Sequence, residues 1–417
     1  MTACRPFHAA FARSALSAAF CAALALPAAA VTAAESTAAS PAAAAAATPA
    51  AVQPFRVAEV ARGLENPWAL AFLPDGRLLV TERPGRLRII AADGSLSEPL
   101  AGVPDVHARG QGGLLDVVLS PAFATDRTIF FSFAQPTARG ARTAVARAEL
   151  DVDGLRLDKV RVIFAQGDEP SGNNHWGSRL VFARDGTLFV TLGDRFSYRD
   201  KAQDLSSHLG KIVRIRADGS VPPDNPYVNR YDAAREIWSY GHRNVQGAAL
   251  HPVTGALWAH EHGPQGGDEV NVVLAGRNYG WPEITYGREY VIGTRIGEGT
   301  ERADVEPPRL QWTPSIAPSG MAFYTGDAYP QWRGSLFVGA LKAQMLVRLE
   351  LDGERVVREE RLLEDLGKRI RDVRQGPDGR LWLLEESEGS VLRLDPVAPV
   401  SAEPAPAASA PAAPPAK

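Results

Sequence analysis

Six stretches of the chain share one pattern of hydrophobic and polar positions. In each, alternating apolar residues lead into Pro-Asp-Gly or a variant of it and then into a second alternating run. They occupy residues 68–83 (WALAFLPDGRLLVTER), 114–133, 178–194 (SRLVFARDGTLFVTLGD), 247–263, 320–341 and 371–387. Period-two alternation on both sides of Asp-Gly is typical of a β-hairpin. The pattern therefore predicts six hairpins and almost no helix.

Spread over residues 55–396, six hairpins leave about 57 residues for each, which is enough for a four-stranded blade and a loop. We therefore predict an all-β fold, a six-bladed β-propeller with four-stranded antiparallel blades. Residues 55–60 are a candidate strand for closing the last blade. One or two β-sandwiches are the alternative fold.

The two ends of the chain differ in composition from this region. Arg5 and Arg13 precede an uncharged Ala/Leu-rich run with small residues at 28–30, which predicts a cleaved signal peptide over residues 1–34 and export to the periplasm. The apolar run is too short to span a bilayer. Residues 35–54 and 397–417 are rich in Ala and Pro and are interpreted as a linker and a disordered tail.

Composition excludes several kinds of chemistry. Both cysteines, Cys4 and Cys21, lie in the predicted signal peptide, so the mature chain has no thiol for a disulfide, a nucleophile or a zinc site. The net charge of −3 gives no sign of a nucleic-acid partner. The chain also lacks the glycine-rich dinucleotide motif, the P-loop and the G-x-S-x-G elbow.

Polar clusters stand where the chain enters or leaves these hairpins, and in a propeller such loops converge at one mouth of the central channel. The clusters are RGQGG (109–113), NNHWGSR (173–179), LGDR (192–195), YGHRNVQG (240–247), EHGPQGGDE (261–269), LKAQ (341–344) and KRIR (368–371). Four cations from three blades would meet there: Arg243, Lys342, Arg369 and Arg371. Because like charges in one funnel repel unless an anion joins them, the pattern indicates a polyanionic ligand.

His175 is a candidate general base, since imidazole titrates near neutral pH and a carboxylate can fix its tautomer. Asp194, at the far end of the same hairpin, is the candidate partner. A lone loop histidine is more often structural than catalytic. The surrounding clusters favour the catalytic interpretation.

The loop GPQGGDE offers carbonyl and carboxylate oxygens, which are the ligands of hard cations such as Ca²⁺. A transition-metal site built from His260 and His262, with His242 nearby, is an alternative. A plain turn is the third possibility.

Taken in order along the chain, the phrases GQGGLLDV, H-x-x-x-RL, GHRN-x-QG, HGP-x-x-GDE-x-N, NYGWP and R-x-RDV resemble those of the soluble pyrroloquinoline-quinone (PQQ) sugar dehydrogenases. This is the glucose/sorbosone dehydrogenase family, and its bacterial aldose sugar dehydrogenase branch is the most similar. The resemblance covers residues 67–395. It implies PQQ-dependent oxidation of aldoses at C1 to lactones, with electrons passed to a small or protein acceptor.

The resemblance also implies roles for individual residues. His175 is similar to the base and Asp194 to its partner, and Arg243 would stabilise charge developing on the quinone. Gln111, Arg243 and Asn244 resemble residues at the quinone end of PQQ, and Lys342, Arg369 and Arg371 resemble those that hold its carboxylates. The carbonyls of Gly263 and Pro264 would bind Ca²⁺ against the quinone. Glu269 and the backbone of Tyr279 resemble part of a second, structural Ca²⁺ site.

Some positions depart from the family pattern. His262 and Asn174 replace a glutamine and an aspartate of the glucose-specialised branch, and the segment 287–308 has no identified counterpart. The preferred sugar therefore stays open. A Ca²⁺-dependent lactonase and a non-catalytic binding propeller remain alternative functions, and the chain is expected to be a monomer or homodimer with no membrane span.

Overall fold

The computed structural model describes residues 54–397. The predicted signal peptide, nearly all of the linker and nearly all of the C-terminal tail lie outside these described residues. Within residues 54–397, no helix has the length and apolar character needed to cross a bilayer.

Strands account for nearly all the regular structure. In chain order they are β1 (Phe55–Ala61), β2 (Pro67–Phe72), β3 (Leu78–Glu82), β4 (Arg86–Ile90), β5 (Leu114–Leu119), β6 (Thr128–Pro136), β7 (Ala141–Asp151), β8 (Arg156–Ala165), β9 (Gly177–Phe182), β10 (Leu188–Leu192), β11 (Lys211–Ile215), β12 (Ile237–Tyr240), β13 (Val245–Leu250), β14 (Leu257–Glu261), β15 (Asp268–Val273), β16 (Leu310–Trp312), β17 (Pro318–Phe323), β18 (Leu336–Ala340), β19 (Leu346–Asp352), β20 (Arg355–Leu362), β21 (Ile370–Gln375), β22 (Leu381–Glu385) and β23 (Ser390–Pro396). The helical elements are α1 (Phe123–Asp126) and 3₁₀ turns at Arg199–Ala202, Pro330–Trp332 and Glu364–Leu366.

The strands form six antiparallel sheets, and the prediction of a six-bladed β-propeller is confirmed. Five blades have four strands, while the blade of β2, β3 and β4 has three. The first strands of successive blades contact one another around the ring, and β21 contacts β2 to close it. Strand β1 pairs with β23 as the outermost strand of the last blade, so the beginning of the described chain completes the blade built by its end.

Each hairpin predicted from the sequence forms the two innermost strands of one blade. In the first hairpin, Gly76 donates its N–H to the carbonyl of Leu73 at 3.0 Å with φ at +88°, a conformation that suits glycine in a tight turn. The second strand is buried along its length in five of these hairpins, because both of its faces pack against neighbouring blades; β6, the second strand of the remaining hairpin, is buried except at Gln135 and Pro136. Clusters of buried apolar side chains between successive blades hold the ring together.

Three buried charges and one partly buried charge meet at the centre of the ring. Arg179 on β9 lies 3.1 Å from Asp116 on β5 and 3.2 Å from Asp372 on β21. Arg374 reaches the same two carboxylates at 2.9 and 2.8 Å. Two guanidinium groups and two carboxylates neutralise each other here, as buried charges require. This part of the channel therefore needs no further counter-ion.

Candidate active site

His175 and Asp194 meet at the mouth of the channel, where their hairpin begins and ends. His175 precedes β9, Asp194 follows β10, and His175 Nδ1 lies 2.6 Å from Asp194 Oδ1. Gly193 allows the two segments to approach, because a Cβ at that position would stand 2.1 Å from the carbonyl oxygen of His175. The backbone N–H of His175 donates to Gln111 Oε1 at 2.8 Å.

Asp194 is held as a carboxylate by three donors. Besides His175, the indole N–H of Trp281 donates to Oδ2 at 2.8 Å and the backbone N–H of Phe196 donates to Oδ1 at 2.8 Å. Burial works against ionisation, but the hydrogen bond from His175 and the positive charge of Arg243 outweigh it, so the pKa of Asp194 is lowered. An ionised Asp194 fixes the imidazole proton on Nδ1.

His175 is therefore arranged as a base. Burial, followed by the positive charge of Arg243, lowers the pKa of its imidazole from the usual 6.5, which keeps the ring neutral. Its Nε2 makes no hydrogen bond to any residue of the described range. With the proton on Nδ1, this atom presents a free lone pair to a substrate.

Arg243 lies beside the pair and spans several groups of the mouth. Its Nη1 donates to the carbonyls of His262 at 3.0 Å and Gly263 at 2.8 Å, and its Nη2 contacts the hydroxyl of Tyr290 at 3.2 Å. Its guanidinium also lies 5.2 Å from the centre of the Trp281 ring. The neighbouring Asn244 is buried, where its Oδ1 accepts from the N–H of Gly177, so it braces the start of β9.

A cavity of about 330 Å³ is lined by Gln111 and by two of the predicted arginines, Arg369 and Arg371, but not by Arg243. Arg371 and Arg369 lie 3.0 and 3.3 Å from one carboxylate, that of Glu386, and Arg83 approaches the same group at 3.8 Å. Lys342 is exposed and does not line this cavity. Its backbone N–H is hydrogen bonded to the carbonyl of Ile316, in a loop at the rim.

The arginine cluster contains more positive charge than its internal anion compensates. Burial raises the pKa of Glu386, but Arg371, Arg369 and Arg83 outweigh burial and lower it overall, so Glu386 is ionised. One carboxylate thus faces three guanidinium groups, of which Arg371 is buried. The excess of positive charge suits an anion with several carboxylates.

Glu269 is a buried carboxylate without a cation. Its side chain accepts a hydrogen bond from Asn271 at 3.3 Å, and no Lys or Arg of the described residues forms an ion pair with it. Burial, followed by the negative charges of Glu261 and Asp268, raises the pKa of Glu269 well above its usual value. The nearby carbonyl of Tyr279 accepts no hydrogen bond within residues 54–397. These oxygens fit a hard cation.

The carbonyls of Gly263 and Pro264 differ in their hydrogen bonding. That of Gly263 accepts from Arg243, while that of Pro264 has no donor among the described residues. The N–H of Gly263 donates to Asp268 Oδ1 at 2.8 Å, which fixes the turn. The two carbonyl oxygens fit a cation that shares the Gly263 carbonyl with the guanidinium of Arg243.

The three histidines of the transition-metal alternative do not converge. His242 bonds to Glu261 at 2.8 Å and Ser239 at 2.9 Å, whereas His262 Nε2 bonds to the carbonyl of Pro318 at 2.6 Å. His260 is fully buried. Within residues 54–397, no group of three or more His, Cys, Asp or Glu side chains is arranged to hold a metal ion.

Sequence reasoning missed four residues of this mouth: Arg83, Trp281, Tyr290 and Glu386. Arg83 and Glu386 directly follow the second strand of their hairpins, as His262 does. An alignment of the six repeats on that position would have found both. Trp281 lies in the NYGWP phrase, which gave no sign that the indole reaches Asp194.

Comparison with known proteins agrees with this fold. The family described as glucose/sorbosone dehydrogenase matches residues 64–393. The chain belongs to this family and is an oxidoreductase.

Its relatives include named sugar dehydrogenases. The chain is 48% identical to the aldose sugar dehydrogenase YliI of Escherichia coli K12, over 80% of this chain and 91% of that protein. The crystal structure of the apo form of the E. coli soluble aldose sugar dehydrogenase is 46% identical, with a TM-score of 0.80 over 82% of this chain and all of that one. A PQQ-bound aldose sugar dehydrogenase from Streptomyces coelicolor is 31% identical, with a TM-score of 0.69 over 83% and 99% of the two chains.

Proposed function

We propose that this protein oxidises aldose sugars at C1 to lactones with PQQ as the electron acceptor. The observation that carries the proposal is the buried His175–Asp194 pair beside a cavity in which arginines outnumber carboxylates. PQQ has three carboxylates, and Arg369, Arg371 and Arg83 are the residues that would hold them. Gln111, which bonds the backbone of His175, would lie toward its quinone end. Lys342 would act only from the rim.

The reaction moves one proton and one hydride. When bound, PQQ supplies the two-electron acceptor that takes the hydride from C1. His175 Nε2 accepts the proton of the anomeric hydroxyl, and the C1–O bond becomes the carbonyl of the lactone. Asp194 holds the ring in the required tautomer and stabilises the imidazolium that forms. The Arg243 guanidinium stabilises negative charge on an oxygen beside the base.

We also propose two Ca²⁺ sites. When bound at the carbonyls of Gly263 and Pro264, Ca²⁺ would act as a Lewis acid toward the cofactor. Glu269 and the carbonyl of Tyr279 would hold a structural ion, which supplies the positive charge that the buried carboxylate lacks.

Reconstitution tests the function directly. Purified protein is loaded with PQQ and Ca²⁺, dye reduction is followed with a panel of aldoses, and the product is identified by NMR. We expect sugar-dependent reduction and a lactone. His175→Ala should abolish turnover yet keep PQQ binding, measured by absorbance and thermal shift. The matched control is His251→Ala. His251 follows β13 at the end of that strand that lies away from the channel mouth.

Three outcomes would contradict the proposal. The absence of sugar-dependent reduction for every aldose would exclude it, and lactone hydrolysis without quinone would favour a hydrolase. Turnover that survives in His175→Ala would exclude the assigned base.

The proposed location is the periplasm, reached through cleavage of the N-terminal segment. N-terminal sequencing of the mature protein from fractionated cells tests this location. A chain that retains Met1 in the cytoplasmic fraction would exclude it.

A further inference from the structure

A second cavity, of about 260 Å³, is lined by residues that contact the His175–Asp194 pair and by no member of the arginine cluster. Its walls include Phe196, Trp281 and Tyr290, together with Arg243. Phe196 places its ring edge-on to His175 at 5.2 Å, and Trp281 donates to the carboxylate behind that imidazole. Arg243 and Trp281, which both lie next to the His175–Asp194 pair, line this second cavity, whereas the arginine cluster lines only the first.

Two aromatic rings form one wall of this second cavity. Phe196 and Tyr290 stack with ring centres 6.3 Å apart and planes 26° from parallel. They remain 48% and 46% exposed, although burial of large apolar side chains is favourable. An exposed aromatic face beside a catalytic base is available to pack against the C–H face of a ligand.

An ion pair forms a second, polar part of the wall. Arg199 lies 2.6 Å from Glu289, and both side chains are partly exposed. The pair joins the 3₁₀ turn after Asp194 to the segment that carries Tyr290. A guanidinium and a carboxylate offer donors and acceptors that match a row of hydroxyl groups.

The size of the cavity limits what it can accept. Pockets for drug-sized ligands are about 300–1,000 Å³, so this cavity suits a compact molecule such as a single sugar ring. An apolar wall opposite polar groups matches a pyranose, which has C–H faces and an equatorial belt of hydroxyls.

We propose that this cavity is the sugar subsite and that Tyr290 and Phe196 determine its specificity. The inference rests on the proposed function and adds where the sugar lies. Tyr290 lies in the segment 287–308, which contributes Glu289, Tyr290 and Ile296 to the cavity wall. The hydroxyl of Tyr290 contacts Arg243, which links the loop to the catalytic groups.

The test compares three variants of one loop in the PQQ- and Ca²⁺-loaded protein. Tyr290→Ala removes the ring, Tyr290→Phe keeps it, and Val291→Ala changes the neighbouring side chain, which is 98% exposed and does not line the cavity. Steady-state kinetics with several monosaccharide aldoses give KM and kcat separately, and thermal shift with PQQ reports the cofactor site.

We expect Tyr290→Ala to raise KM by about three- to tenfold, the range expected for one aromatic contact, with a smaller change in kcat. The size of the increase should differ between sugars. Tyr290→Phe should keep KM within about twofold. Val291→Ala should match the wild type, and the PQQ-induced thermal shift should be the same in all variants.

Phe196→Ala provides a second, independent variant. It should raise KM in the same manner, and because Phe196 also contacts His175, it should lower kcat as well. If the wild type turns over sugars but neither Tyr290→Ala nor Phe196→Ala changes KM for any of them, the subsite is wrong and the proposed function stands. If the wild type oxidises no aldose, the proposed function itself fails.

Discussion

The indole N–H of Trp281 donates to Oδ2 of Asp194 at 2.8 Å, the carboxylate oxygen that His175 does not use. The contact joins the loop after β15 to the end of β10, two parts of the chain 87 residues apart. It fixes the carboxylate from behind, so the orientation of the proposed base depends on a residue that does not touch it.

Loss of the Trp281 indole N–H should lower the rate of catalysis but leave measurable turnover. We expect Trp281→Phe to lower kcat by roughly tenfold, the equivalent of about 1.4 kcal/mol, because Asp194 loses one of three donors. Asp194→Asn should cost roughly 10³-fold or more, because an amide N–H facing Nδ1 reverses the tautomer. Steady-state kinetics measure both. Trp238→Phe is the control, since its buried indole N–H has no hydrogen-bond partner in the described chain; an equal loss in this variant would contradict the assigned role.

Glu386 should compete with the cofactor for the arginines. We expect Glu386→Gln to lower the Tm of the apoprotein by about 2–4 °C, because three guanidinium groups then lack their carboxylate. The same variant should bind PQQ on the order of tenfold more tightly. Thermal unfolding with increasing PQQ measures both effects. Glu388→Gln, at an exposed partner of Lys368, should change neither; weaker PQQ binding by Glu386→Gln would mean that the anion lies elsewhere.

Glu269 should have opposite effects on stability with and without Ca²⁺. In chelator, Glu269→Gln should raise the Tm, because it removes a buried carboxylate that lies near Glu261 and Asp268. With Ca²⁺, the wild type should gain stability through binding, and this gain should disappear in the variant. Calorimetric titration of the apoprotein with Ca²⁺ provides a direct count of sites. Glu301→Gln, which changes an exposed carboxylate lining one cavity together with Glu269, should retain the gain. Retention of the gain in Glu269→Gln would contradict the site.

His262 should make the fold sensitive to acid. Burial is the main cause that lowers its pKa to about 3, against the usual 6.5. Between pH 6.5 and about 3, His262 is protonated in the unfolded chain but neutral in the folded chain. The free energy of unfolding therefore falls as the pH drops through this range. His262→Gln keeps a donor for the Pro318 carbonyl but does not titrate. Urea unfolding across this pH range should show a smaller loss of unfolding free energy for His262→Gln than for the wild type. The same dependence on pH in both proteins would rule out this contribution.

Periodicity determined how much of the fold was predictable. The Asp-Gly turns and alternating runs identified both inner strands of every blade, because local backbone geometry fixes a hairpin. The outer strands had weaker patterns, and the three-stranded blade was not foreseen. Pairing of β1 with β23 joins residues 330 or more positions apart, for which a local pattern provides no evidence.

Site residues could be predicted where they lie at the same end of the predicted hairpins, because those ends converge at the channel mouth. His175, Asp194, Arg369 and Arg371 do, and they lie at one mouth. Lys342 follows β18 at such an end as well, but the hydrogen bonds of its loop to Ile316 leave the side chain exposed. The cations were expected to need an external anion, whereas the carboxylate of Glu386 already compensates part of their charge. Glu386 follows the second strand of the hairpin that begins at Arg369 and Arg371, and its backbone N–H donates to the Arg369 carbonyl at 2.9 Å, so the pairing of β21 with β22 brings these residues together.

The pairing of β1 with β23 has a consequence for protein engineering. The N–H of Val397 donates to the carbonyl of Pro54 at 3.0 Å, so the two ends of the folded domain are adjacent. A short peptide joining them, combined with new termini in the exposed turn at Val253, should yield a circularly permuted protein with the same ring of blades. Deleting residues 55–61 instead would uncover an unpaired edge on β23, which invites association with a second chain.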